Sequence, residues 1–452
     1  MGSKLYETPH IDRLATDGMI FSQAYAACAV CSPTRASIMT GKYPARIGIT
    51  DWIRGRFSKA VIPEDHQPPT GYDSLATRQL LTPKNPLWLN LEEITLAEML
   101  KKGGYTTAHI GKWHLGPGPW KPEHQGFDFN YGGTDYGQPP VYFDPYERNG
   151  FSIENLAGRK PGEYLTDREG DEAARFIRNH SNGPFFLNMS HYAVHTPVQA
   201  KDSLIQKYKA KQEANPSLAL FRPEDEVKAR FKSWVPLDSQ RNPIYAAMIE
   251  SVDAAVGRML HALDSLNLTE NTLIVFFSDN GGHIVSTSNS PLKFGKGHPH
   301  EGGIREPMVV TWPKKIKAGT ESSELVASID FFPTLAEAAG IEVKGKVDGI
   351  SLMPVLTENK SLSRDTLYWH FPHYWAGGKI SPYSIIRAGD WKLIRWYESA
   401  DYELYNLKDD LSETTNLSTS FPDKITQLES VLDRWLISVD AKMPLRNPLY
   451  KE

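Results

Sequence analysis

Between residues 93 and 312 the chain alternates short, continuously apolar runs with helical patterns, and this alternation points to a parallel sheet covered by helices on both faces. Residues 94–103 put Ile94, Leu96, Ala97 and Leu100 near one face and close on Lys101, Lys102 and Gly103, as a helix C-terminus does. Strand patterns follow at Tyr105–Ile110, Pro184–Met189, Thr272–Phe277 and Pro307–Thr311. Between them, Asp171–Arg178 reads as a short amphipathic helix and Ile244–Leu263 as a longer one, with Ala247, Val252, Ala255, Val256, Met259 and Leu260 at three- and four-residue spacing. In sheets of this kind ligands collect beyond the carboxyl ends of the strands. Here those ends read Gly-Lys-Trp-His (111–114), Ser-His-Tyr-Ala-Val-His (190–195) and Ser-Asp-Asn-Gly-Gly (278–282), so three loops converge on one polar site.

After about Leu356 the character changes. Tyr383–Arg387 and Trp391–Trp396, joined by a turn at Ala-Gly-Asp, read as an antiparallel hairpin. A strand near Tyr402–Leu407 and an amphipathic helix over about Asp423–Val439 complete a small unit. The expected architecture is α/β: a catalytic domain over residues 1–355 and an α+β subdomain, built on an antiparallel sheet, over 356–452. The 452 residues carry 50 Lys plus Arg against 54 Asp plus Glu, a net charge of −4. With no long basic run, that balance gives no footprint for nucleic acid. No run approaches the roughly 18 apolar residues that suggest a membrane span. The first residues lack the charged-then-apolar pattern of a signal peptide. The polar stretch Gln206–Gln240 reads as an excursion over the surface.

The two cysteines lie close together in Cys28-Ala-Val-Cys31. A structural zinc site needs four ligands and there is no second pair, whereas the spacing alone leaves a thioredoxin-type redox site open. The longer string Cys31-Ser-Pro-Thr-Arg35-Ala-Ser-Ile-Met-Thr-Gly41 is more specific. A Cys ahead of Ser-Pro sits where a helix starts, with Pro at an early helical position. There the helix N-terminus favours an anionic nucleophile or a bound anion, and Arg35 adds a fixed cation. A lone Cys at such a place would be a buried packing residue. The whole string resembles the signature of the type I sulfatases of the alkaline-phosphatase-like superfamily. The resemblance implies a large, mostly parallel sheet sandwiched by helices. It also implies that a maturation enzyme oxidises Cys31 to formylglycine, whose hydrated aldehyde attacks the sulfate ester. Cys28 matches no catalytic position, so the redox reading is set aside.

Further strings carry the same resemblance. Gly104–Gly116 is similar to the second sulfatase signature and implies Lys112 as a charge-neutralising cation and His114 as a base. In Ser190-His191-Tyr-Ala-Val-His195-Thr-Pro197, chemistry alone leaves His191 and His195 level; the family's His-Thr-Pro element selects His195, implied to contact sulfate and protonate the leaving alcohol. Asp279-Asn280-Gly-Gly after an apolar strand is an Asx turn taken alone. In family context Asp279 and Asn280 match half of a site for one Ca²⁺ ion. Lys296, five residues before Glu301-Gly-Gly, matches a sulfate-binding lysine and is preferred over Lys293. His298 and His300 read as ordinary loop histidines. The string Tyr402–Leu417 also resembles these enzymes, with Asp409-Asp410 in a solvated turn.

The substrate expected from the resemblance is a sulfated carbohydrate. Trp52, Arg54 and Arg56 after the nucleophile helix, and His370, His373, Tyr374 and Trp375 near the C-terminus, suit sugar rings bearing anionic groups; from these Arg54, His370 and His373 are taken as substrate-binding candidates. Family members begin with an apolar strand ending in Asp-Asp that supplies two more metal ligands, whereas this chain starts at the following segment, Gly2–Leu14. Loss of such a strand should leave a hydrophobic slot with two unpaired backbone edges. The expectation is therefore a chain beginning at an internal Met of a longer secreted or periplasmic precursor. Two alternatives stand beside the sulfatase reading. One is a phosphodiesterase or phosphonate hydrolase sharing the Cys-x-Pro-x-Arg nucleophile. The other is an inactive anion-binding relative without the Asp pair.

Overall fold

The computed structural model describes residues 3–54, 62–63, 65–215, 241–375 and 379–451. Arg56 and the 216–240 part of the expected surface excursion lie outside them. The elements that place the site run, in chain order, α1 (Pro9–Asp17), β1 (Met19–Phe21), α2 (Cys31–Thr40), α3 (Leu96–Lys102), β2 (Thr106–Gly111), β3 (Phe129–Tyr131), α4 (Leu165–Asn179) and β4 (Phe185–Ser190). They continue with α5 (Arg241–Ser265), β5 (Ile274–Phe277), β6 (Met308–Thr311), β7 (Thr320–Ser322) and α6 (Phe331–Ala338). The C-terminal part contributes β8 (Thr366–Phe371), β9 (Tyr383–Ala388), β10 (Trp391–Trp396), β11 (Tyr402–Asn406) and α7 (Pro422–Ser438).

The strands of the larger part form two groups. In the first, β2 is central and pairs in parallel with β3 and β4, in register Ala108↔Phe129 and Thr106↔Phe185. In the second, the order is β5-β6-β1-β7. There β6 runs antiparallel to both β5 and β1, while β1 and β7 are parallel. The antiparallel return of β6 corrects the expectation of parallel pairing for Pro307–Thr311. A loop over residues 278–307, with no long crossover helix, joins β5 to β6, so β6 can come straight back beside its neighbour.

Among the described residues β4 pairs only with β2, and β5 only with β6, so each has one free edge. Both strands line a cleft of about 1870 Å³, walled by apolar side chains such as Leu187, Val256, Val275 and Leu335. Arg35, Lys112 and Asp279 line the same cleft.

Helices cover the sheet for sequence reasons that can be named. Thr95 opens α3 with a capping box, accepting from Glu98 N while Glu98 accepts from Thr95 N. Helix α4 starts at Leu165, six residues before the expected Asp171, because Gly170 sits within it as a packing residue. A Cβ there would come 2.7 Å from Ala255 Cβ on α5. In the C-terminal part, β8 to β11 form an antiparallel meander, and Leu428, Leu432 and Trp435 of α7 join its core. That core also takes in Tyr25, Cys28 and Val30 from the chain just ahead of α2, where Trp369 Nε1 donates to Ala26 O at 2.8 Å. The antiparallel sheet thereby packs onto the segment that leads into Cys31.

Candidate active site

Cys31 occupies the first turn of α2, preceded by Val30 in extended conformation. Ser32 Oγ donates to His114 O at 3.0 Å and accepts from Ile53 N at 2.9 Å, while Thr34 Oγ1 donates to Cys28 O at 3.0 Å. The Ser-Pro-Thr string thus anchors the start of α2 to three other segments. At its other end Gly41 adopts φ +68, and a Cβ there would lie 2.9 Å from Phe332 Cβ. The helix axis is therefore fixed at both ends.

Around the Cys31 thiol the structure gathers four basic groups from three loops. Lys296 Nζ lies 3.1 Å from Sγ. Burial opposes an anion here, yet Lys112 and then Lys296, with His114 and His195, hold the thiol well below the usual cysteine range. Burial lowers Lys112 to about 8, against the pull of Cys31 and Asp279. Burial, reinforced by Lys296, lowers His195 to about 4. His114 is lowered by burial too; its Nε2 donates to Ile53 O at 2.8 Å, which leaves Nδ1 for the Cys31 sulfur. His195 Nδ1 is engaged by Thr196, whose carbonyl and Oγ1 lie 3.2 and 3.1 Å away. At pH 7 both rings are therefore neutral, and each can accept or pass on a proton.

Arg35 acts beneath this group. Its Nε donates to Asp279 Oδ2 at 2.8 Å and its Nη1 to Lys112 O at 2.6 Å, joining α2 to the β2 and β5 loops. Asp279 is held low because Arg35 and Lys112 outweigh its burial. Asn280 is buried; its Nδ2 donates to Gly281 O at 3.0 Å, while its Oδ1 has no partner. An orphaned amide oxygen beside a carboxylate suits a hard cation in kind. In number it falls short, since Ca²⁺ takes about six to eight oxygens. No cluster of three or more potential metal-ligating side chains occurs among the described residues. The donor set on the described residues is partial.

The other sequence candidates divide. His191, level with His195 on chemistry alone, is held by Glu169 (Nδ1–Oε2 2.7 Å). Lys293 donates to Glu413 O at 3.1 Å instead of reaching the thiol. Arg54 is largely exposed and stacks over Trp52 at 5.6 Å. His373 is buried and meets Thr50 Oγ1 at 2.8 Å, on the stretch that leads to Trp52. His370 is the correction. Its Nδ1 meets Ser384 Oγ at 2.7 Å and its Nε2 meets Lys442 O at 3.1 Å, so both nitrogens are used inside the C-terminal core and neither is free for substrate. Cys28 is fully packed and its thiol is pushed up by burial. Sequence reasoning missed Asp51, which burial raises to about 7 against the opposing effect of Arg54. It also missed Glu169. Neither lies in a motif, and only an unusual buried acid in space identifies them.

The arrangement can bind a tetrahedral oxyanion between Lys112 and Lys296 and offer proton carriers on two sides of a nucleophile. Comparisons with known proteins agree. The Sulfatase family model matches residues 1–341, and the model for the C-terminal part of N-sulphoglucosamine sulphohydrolase matches residues 293–441. A sulfatase from Formosa agariphila is 32% identical over 97% of this chain and 85% of its own. The N-acetylgalactosamine-6-sulfatase of Mus musculus is 29% identical over 92% of this chain and 72% of its own. The crystal structure of Ps i-CgsB in complex with k-i-k-neocarrahexaose superposes with a TM-score of 0.74 at 30% identity, covering 96% of this chain and 88% of that one. With a family model matched over residues 1–341 and a relative 32% identical over 97% of the chain, the chain belongs to the sulfatase family, whose members are sulfuric ester hydrolases.

Proposed function

We propose that the protein removes sulfate from a sulfated carbohydrate, with Cys31 as the position of a formylglycine nucleophile. The observation that carries the reading is the buried Cys31 at the start of α2 with Lys296 Nζ 3.1 Å from its sulfur and Lys112, His114 and His195 beside it. Charge that lowers a thiol also stabilises an oxyanion at the same place. Formylglycine would supply a hydrated aldehyde, one hydroxyl to attack sulfur and a second whose collapse expels sulfate. In this reading Lys112 and Lys296 neutralise the sulfate oxygens, and Arg35 holds the Lys112 backbone and Asp279 in place. His195, neutral at rest, takes up the proton of the attacking hydroxyl and gives it to the departing sugar oxygen as the S–O ester bond breaks. His114, with Nδ1 open, takes the proton released when the second hydroxyl collapses. Arg54, Trp52, Asp51 and His373 lie around the loop that follows α2 and form the proposed sugar-facing side. A calcium-type ion belongs to the reading, with Asp279 and Asn280 as its ligands on this chain. The relatives' names and the neocarrahexaose bound by Ps i-CgsB support a glycan substrate, and action on such polymers fits a secreted or periplasmic enzyme.

The test co-expresses the chain with a formylglycine-generating enzyme, reads the Cys31 peptide by mass spectrometry, and compares turnover of aryl sulfate, aryl phosphate diester and sulfated oligosaccharides. Conversion of Cys31 with preference for sulfate is expected. Preference for the phosphate diester would favour the phosphodiesterase reading. Converted protein that binds sulfate without turnover would favour the anion-binding one.

A further inference from the structure

Lys296 rides on a segment with little regular structure of its own; between residues 293 and 305 only Glu301–Ile304 form a single helical turn. Two backbone bonds fix the lysine locally, from Lys296 N to Gly282 O at 3.1 Å and from Gly297 N to Ala29 O at 2.8 Å. Charged side chains of the C-terminal part grip the rest. Lys392 of β10, fully buried, pairs with Glu301 at 2.9 Å and with Glu413 at 2.7 Å. Glu413 also accepts from Glu301 N at 2.7 Å. Glu403 of β11 accepts from His300 Nε2 at 2.9 Å and is itself held by Trp396 Nε1 at 2.8 Å and Tyr405 OH at 2.6 Å. From the other side, Tyr25 OH donates to Glu301 at 2.7 Å and Arg305 approaches it at 3.4 Å. Directly after Lys296, Gly297 has φ +86, and a Cβ there would meet Trp375 Nε1 at 2.2 Å. The backbone beside the lysine is thus pressed against the C-terminal part.

A fully buried ion cluster is weak support for stability, because desolvation offsets most of the attraction. Its directional bonds do fix geometry. We propose that Lys392, Glu403 and Glu413 are positioning residues that hold Lys296 against Cys31, so that the C-terminal sheet sets the charge at the nucleophile. The three act only through the 293–305 segment. The proposal rests on the reading of Cys31 as the nucleophile, and its test needs no turnover.

The chain is made without the maturation enzyme, so that Cys31 stays a thiol, and its alkylation by iodoacetamide at pH 7 is followed by peptide mass spectrometry. The thiolate is the reacting form, so a displaced cation slows the reaction. Lys296→Met should slow labelling about tenfold, in line with one lost charge contact at a thiolate. Lys392→Met and the shape-preserving Glu403→Gln should each slow it by roughly threefold or more, and neither should slow it further in the Lys296→Met background. Wild-type rates in both variants, or effects that multiply with Lys296→Met, overturn the proposal. Cys28 reports folding in the same digest. Both cysteines are buried, but Cys31 lies beside Lys112, His195 and Lys296 at the cleft, whereas Cys28 is packed in the core under the C-terminal sheet with its thiol pushed up by burial, and it stays unlabelled while the chain is folded. If Lys392→Met exposes Cys28, Glu403→Gln with Cys28 protected decides the matter; labelling of Cys28 in both variants assigns the cluster to stability and overturns the proposal. A converted enzyme that hydrolyses no sulfate ester would remove the proposed function and leave this result standing.

Discussion

Replacing Arg35 tests the site most directly, because one planar side chain serves two acceptors on different loops. Its Nε bonds Asp279 Oδ2 at 2.8 Å and its Nη1 bonds Lys112 O at 2.6 Å. The Arg35 and Asp279 side chains are only 13% and 22% exposed, so solvent screens the pair little. Each bond to a charged group contributes about 1.5–3 kcal/mol, so Arg35→Met should cost about 3–6 kcal/mol. With an unfolding entropy of about 2.1 cal/mol/K per residue, a chain of this length should lose about 3–6 °C in Tm. Catalysis should suffer more than stability. Lys112 loses its backbone anchor, and Asp279 keeps only a 3.9 Å contact with Lys112. A fall in kcat/KM on aryl sulfate of about 10²–10³ is expected, the scale of losing one electrostatic stabiliser. Arg35→Lys separates charge from geometry. A single ammonium reaches one acceptor but not both, so it should restore about half of the lost Tm and less than a tenth of the lost activity. The assay pairs differential scanning fluorimetry with initial rates on formylglycine-converted protein. Wild-type kcat/KM in Arg35→Lys would refute the argument from the forked contact.

Three further outcomes are expected. The alkaline limb of the kcat/KM profile should fall at or below pH 8, because burial lowers Lys112 to about 8 even while the Cys31 thiol helps to hold its proton, and conversion of Cys31 removes that help; Lys112→Arg should move the limb above pH 10 even at reduced rate, and an unmoved limb assigns it to another group. Stability should drop on acidification through buried neutral histidines. His370 is lowered to about 4 against about 6.5 unfolded, so below pH 6.5 the unfolded chain takes up the proton first and stability is lost down to pH 4; by pH 5 this is about 2 kcal/mol, which His370→Phe should remove from the difference in urea midpoints between pH 7 and 5. Gly170→Val should lower the Tm, with about 1–3 kcal/mol lost to overpacking against Ala255 of α5, and an unchanged Tm would show that the two helices can separate freely.

The site was legible in the sequence where its residues lie in contiguous strings at strand ends. Cys31, Lys112, His195, Asp279 and Lys296 each fall in such a string, and the fold brings them together because the loops after β2, β4 and β5 meet at the start of α2. Residues whose role depends on partners far along the chain left no such trace. Lys392 reads as one Lys in an alternating strand until Glu301 and Glu413 close on it. His370 misled for the opposite reason. Its neighbours suggested a sugar platform, but it belongs to β8, where it faces Ser384 across the pair it forms with β9. The first turns of α4 were hidden by Gly170, a poor helix former whose value lies in contact with another helix. The antiparallel β6 was hidden because apolar composition reports burial and says nothing of direction.

The cleft between β4 and β5 has a consequence for how the protein behaves in bulk. Each strand presents one row of backbone donors and acceptors without a partner among the described residues, set in apolar walls. A row of this kind is a template on which an extended segment of another molecule can register. In the described part of the chain that template borders the basic group around Cys31. Self-association should rise steeply with concentration and be relieved by any short strand-forming peptide that caps the two edges.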